Sequence, residues 1–377
     1  MADVMPEGAP PPEDLASVIP TASAAAGLAT RESSRASSSL ARVAGPSYRV
    51  RAGWQLALLL LAGLGPLVVT NDYVVSLGMQ VEVMMCLALG LNIVVGYAGL
   101  LDLGFAAFFA IGAYTTGLLS LNLHWPILAT LPVSVLMALA GAVIVGTPTL
   151  RLRRDYLAVV TLGFGEVVQL VVNNLDQTGG PTGIFGIPPL EILGFQIVTP
   201  IGYYYVFFVT LVVFIAASWR LRVSRLGRAW LAIREDEDVA MAMGIKTQRY
   251  KLYAYMAGAI IGGITGSFYG PAMIGVAPPT FGFMQSLLIV MAVSIGGMGS
   301  VPGALIGAAV VIGGPEVLRT FSQARLLVFG LVLVAMMMAR PQGVWPEGGP
   351  GLGRILAALR LRLSRARPSG TPADGTR

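Results

Sequence analysis

Apolar runs dominate the chain, separated by short polar or glycine-rich stretches, at 54–70, 73–95, 103–122, 126–150, 156–173, 201–219, 252–274, 284–296, 302–314 and 326–339. A helix needs about 20 such residues to cross a hydrocarbon core roughly 30 Å thick. In lipid a spanning segment must satisfy its own backbone polar groups, so these runs predict helices. The expected fold is an all-α integral membrane protein, a polytopic helical bundle of about ten membrane-crossing elements, some short or broken. Residues 47–340 would form that bundle. Residues 1–46, rich in Ala, Pro, Ser and Glu without apolar periodicity, read as a disordered cytoplasmic tail with no secretory signal before it. Residues 341–377 read as a basic cytoplasmic tail.

Arg42, Arg49 and Arg51 precede the first run, which places the N-terminus in the cytoplasm by the positive-inside rule. Alternating spans then put "RLRRD" (151–155) and the loop 220–251 inside, whereas 174–200, without Lys or Arg, falls outside. The stretch 284–313 decides the count. Glycines and a proline in "GGMGSVPG" (296–303) interrupt it, and only two short elements return the arginine-rich tail to the cytoplasm. "GYAGLLDLG" (96–104) is a second glycine-rich break. Broken segments in both halves suggest a weak internal repeat and a transport pathway.

Composition narrows the chemistry. The chain is 55% hydrophobic and 12% charged, about half the ~25% charged content of soluble proteins. Its 25 basic against 19 acidic residues express membrane topology, and no nucleic-acid partner is expected. One cysteine (Cys86) and one histidine (His124) exclude a disulfide framework and argue against a metal or acid–base centre. "GIKT" (244–247) lacks the glycine that a phosphate loop requires before its lysine. No catalytic residue, bound cofactor or metal is expected, and the chain should not hydrolyse ATP by itself.

Within the spans, polar residues are few enough to single out. Glu166, Gln169 and Asn173 share one helical face. A carboxylate at bilayer depth costs about 2.5–3.5 kcal/mol or more, so it should face water or protein. The stripe could line a solute pathway or fix helix packing. Glu82 and Asn92, ten residues apart, raise the same choice on what should be a shared face. Asp102 is expected to cap a helix beginning at Leu103. Gly258, Gly262, Gly266 and Gly270 form three overlapping GxxxG steps, a ridge suited to close helix contact.

The stretch "EDEDVAMAMG" (235–244) predicts a short cytoplasmic helix. Glu235, Asp236, Glu237 and Asp238 would favour the positive end of its dipole, and Gly244 would end it. Val239, Ala242 and Met243 give it a small apolar face. Such an element could dock on a partner, or be a solvated loop whose acids balance nearby arginines.

Four segments carry a resemblance: "LGLNIVVGYAGLLDLGFAAFFAIGAYTTGLL" (89–119), "RLRRDYLAVVTLGFGEVVQLVVNNLDQTGGPTGIFGIP" (151–188), "LGRAWLAIREDEDVAMAMGIKTQRYKLYAYMAGAIIGGITGSFYG" (226–270) and "GGMGSVPGALIGA" (296–308). Together they resemble the LivM-type permease of bacterial branched-chain amino-acid ABC importers. The resemblance implies an inner-membrane subunit paired with a second, homologous permease. Two cytoplasmic ATPases would use the ATP, and an extracytoplasmic binding protein would deliver the solute. It also implies that 235–244 is the coupling helix seated in an ATPase cleft. Urea, short amides or other amino acids remain alternative solutes within that architecture. On the residues alone, an ion-coupled secondary transporter is the competing class, since it too uses broken helices and buried carboxylates.

Overall fold

In the computed structural model the described residues are 71–149, 154–192 and 194–317, with Gly330, Val334, Met338 and 343–345. All lie within one compact unit, Leu58–Arg377; the other unit, Met1–Ala57, lies outside the described residues. So do the predicted run at 54–70, nearly all of 326–339 and of 341–377, and the tail 1–46.

The other eight predicted runs coincide with helices. α1 (Asp72–Leu91) starts at Asn71, whose side chain accepts the Tyr73 N–H, and continues into a π-helical turn at Asn92–Tyr97. It is followed by α2 (Ala106–Asn122), α3 (Ile127–Thr149), α4 (Arg154–Asn174) and α5 (Pro200–Val223). The chain then forms α6 (Arg225–Glu235), α7 (Glu237–Ala242), α8 (Thr247–Ala272), α9 (Phe283–Gly296) and α10 (Val301–Val317). Among the described residues, five stretches are long and apolar enough to cross a membrane: 72–97, 127–149, 156–174, 200–223 and 278–296. The helices 106–122 and 301–316 are apolar but shorter. α8, rich in glycine and tyrosine, falls outside both groups and is instead packed against α1, α2 and α3 in the bundle interior. A helix surrounded by other helices need not be uniformly apolar.

The interval 284–313 is two antiparallel helices. Gly296 opposes Gly303, Ala292 opposes Gly307, and the reversal uses Gly297 and Gly299 at φ 115° and 84°. Glu316 then meets Tyr73 at the start of α1, and the Val344 N–H returns to the Ile295 carbonyl at the other end of the bundle.

Among the described residues, two short antiparallel ribbons, which the all-helical reading lacks, cover one end of the bundle. β1 (Ile184–Phe185) pairs with β4 (Gly275–Val276), and β2 (Leu190–Ile192) with β3 (Phe195–Ile197). The opposite end carries α6 and α7, so 220–251 is not a loop with one short helix. α5 runs to Val223, and Ser224 caps α6 by accepting the Gly227 N–H. The sequence offers the reason: Ala229, Trp230 and Ile233 at helical spacing give α6 an inward face, and all three are buried.

Candidate functional site

At this end the acidic cassette is divided between two helices. Glu235 closes α6 and does not belong to the first turn of the next helix. Asp236 is the N-cap of α7, its Oδ1 accepting the N–H groups of Asp238 and Val239. Only Glu237 and Asp238 stand in the first turn. Glu237 accepts from Lys251 of α8, a buried lysine, and so anchors α7 to the bundle. Gly244, at φ 84°, follows the helix in the left-handed region.

Ala240 points inward, while Val239, Met241, Ala242 and Met243 face out. Met243 is 79% exposed and Val239 58%. Behind this apolar face the Trp230 indole N–H donates to the Tyr250 carbonyl at 2.7 Å, fixing α6 on α8. The element is rigidly backed and presents adaptable methionine to the outside.

Next to it the two glycine-rich breaks meet. A methyl group on Gly96 would overlap the Gly299 backbone, and the Gly299 N–H donates to Asn92 Oδ1 at 2.8 Å. Arg234 of α6 donates to the Gly96 carbonyl near the buried C-terminal end of the π-helical turn. Its stem rests on Gly99, which has φ 69°. Neither Arg234 nor the meeting of the breaks stands out in the sequence, because only the fold brings positions 96, 234 and 299 together.

The polar residues within the spans are dispersed. Glu82 and Asn92 do not share a lining. Asn92 turns to Gly299, whereas Glu82 is buried beside the Tyr204 hydroxyl of α5, where the two border a cavity of ≈ 250 Å³. Ten residues at 3.6 per turn make about 2.8 turns, which leaves Asn92 roughly 80° around the regular helix from Glu82. Glu166 is exposed on the outer side of α4, with Gln169 and Asn173 half-buried along the same helix. Glu166 therefore borders the outside of this chain, whereas the Gln169 amide lies against Gly282.

Residues 73–340 match the family described as "Branched-chain amino acid transport system / permease component". The chain belongs to this family. It is 36% identical over 321 residues to the high-affinity branched-chain amino acid transport system permease protein LivM of Escherichia coli K12, covering 79% of this chain and 75% of that protein. It also resembles the LivH permease protein of Salmonella typhimurium, 31% identical over 142 residues (37% of this chain, 46% of that protein). A probable LivM permease of Methanocaldococcus jannaschii is 24% identical over 239 residues, covering 59% of this chain and 68% of that protein. No solved structure matches significantly.

Two further groups of predicted residues shape the interior of this permease. Asp102 does not cap a helix at Leu103, because α2 begins at Ala106. It turns the break instead, accepting the Gly104 N–H at 2.8 Å. The free N–H groups of Leu103 and Ala106 go to Thr161 of α4 and Ser286 of α9, so three segments converge on the start of α2. On α8, Gly258 faces Val94, Gly262 and Gly266 face Phe108 and Phe109 of α2, and Gly270 meets Ile187. At Gly266 an added methyl would overlap the Phe109 carbonyl oxygen. Gly112 makes the reciprocal approach from α2 to the Gly263 backbone, a contact outside the GxxxG series.

Proposed function

We propose that this permease is one membrane subunit of an ATP-driven importer of branched-chain amino acids in the bacterial inner membrane. The exposed apolar face of α7, held rigidly on α8, carries the reading: it is a docking element at one end of a membrane bundle. Its partners would be two cytoplasmic ATPase subunits, which use the ATP, a second homologous permease and an extracytoplasmic binding protein. α6 and α7, with both chain termini, would face the cytoplasm; the ribbons would face outward. The chain itself would bind no cofactor, metal or nucleic acid, and would have no catalytic residue.

The exposed Glu166, with Gln169 and Asn173 half-buried along the same helix, supports a pathway between two permeases, since a charge at bilayer depth needs water or protein beside it. Reconstitution tests the whole reading. The purified chain should show no ATP turnover, and vesicles holding all subunits should take up leucine, isoleucine and valine when ATP is supplied. Robust hydrolysis by the isolated chain, or uptake of urea or short amides in place of these amino acids, would refute it. In the same vesicles Glu166→Gln should lower uptake without preventing assembly. Normal uptake by an assembled Glu166→Leu transporter would take the stripe out of the pathway.

A further inference from the structure

We infer that Arg234 is a positioning residue for coupling: it transmits displacement of α7 to the junction of the two glycine-rich breaks. The inference rests on α7 being the ATPase-docking element. Arg234 sits two residues before the α7 N-cap, Asp236, so the two helices meet at Glu235 and Asp236 without a linker. Its guanidinium donates to the Gly96 carbonyl, and its stem lies against Gly99. Gly96 in turn abuts Gly299, which is tied to Asn92. One side chain thus bridges the docking element and the point where both discontinuous segments touch.

Two other attachments of α6 and α7 differ in kind. Trp230 bonds to the Tyr250 carbonyl and Glu237 pairs with Lys251, both on the continuous helix α8. Those contacts carry the element as a body. Arg234 alone among these three reaches backbone that is broken, where Gly99, Gly297 and Gly299 all hold positive φ. Glycine-rich backbone can change its dihedral angles at low steric cost, so such a junction can take two arrangements. A guanidinium presents several N–H donors in a fixed plane, which gives the link to a helix C-terminal carbonyl a defined direction.

Arg234→Met, which keeps the long stem but no donor, tests this in the complete transporter reconstituted in vesicles. Assembly and ATP hydrolysis should persist, while leucine taken up per ATP falls at least about tenfold. Arg234→Lys, which retains one charged donor group, should recover part of that ratio. A wild-type ratio in Arg234→Met overturns the inference; so does loss of assembly, which would make Arg234 a structural prop. Crosslinking to the ATPases from cysteines at Val239 or Met243 separates the two levels. Persistent crosslinks with unchanged uptake per ATP reject Arg234 alone, whereas absence of crosslinks in otherwise wild-type protein rejects α7 as the docking element.

Discussion

Gly266→Leu is expected to disrupt the permease more than any other single change on α8. At that position the helix lies against the backbone of α2: an added methyl would overlap the Phe109 carbonyl oxygen and lie 2.7 Å from the Ala113 N–H nitrogen. A backbone obstacle cannot swing aside as a flexible side chain can. The helices must separate, and α8 is central, packing also on α1 and α3. Overpacking of a tight core typically costs about 1–3 kcal/mol, and a forced separation of two interior helices belongs at or above the top of that range. Gly163→Leu is the control, because its α4 position has nothing within 4 Å to meet a new side chain. Its effect should stay within about 0.5 kcal/mol. Thermal unfolding in detergent distinguishes the two: a midpoint shift for Gly266→Leu no larger than that of Gly163→Leu would show that the two backbones have room to spare.

The legibility of such contacts varied with how local they are. Apolar run length placed eight helices among the described residues, because a helix in such a bundle is a property of one continuous segment. The GxxxG spacing marked the α2-facing side of α8 for the same reason: four glycines one turn apart are visible without knowing the neighbour. The partner contact of Gly263 was not visible, since it depends on Gly112 meeting it from another helix. Asp102 shows a different limit. An acid before a helix resembles a cap, but the fold supplies Thr161 and Ser286 to the same helix start, and Asp102 closes the preceding turn instead. The stripe on α4 was legible as a stripe, yet which way it faced could be known only once its neighbours were placed. Amphipathic α6 was hidden by composition: its arginines made residues 225–235 look like a charged loop, while the spacing of Trp230 and Ile233 already had helical period.

The cassette itself gives the sharpest functional expectation. If α7 docks on an ATPase, its apolar face should matter more than its charge. Met243→Asp places a carboxylate on the most exposed point of that face, so co-purification with the ATPases should fall, or hydrolysis should continue without uptake. Gly244→Pro should act similarly from the backbone: Gly244 holds φ 84°, and a proline ring confines φ to about −65°. Neither change should unfold the spans, because nothing lies within 4 Å of the Gly244 position and Met243 is exposed. Asp236→Asn provides the contrast. Asparagine keeps a side-chain oxygen for the N–H groups of Asp238 and Val239, so only the charge–dipole part is lost, about 0.3–1 kcal/mol. Uptake by that variant should remain close to wild type. Cysteine crosslinking in the assembled transporter decides where the surface lies. Val239→Cys and Met243→Cys should link to an ATPase subunit, and Arg222→Cys, on the last turn of α5, should not. The reverse pattern would move the docking surface from α7 to the end of α5, and would leave the exposed methionines without a role in coupling.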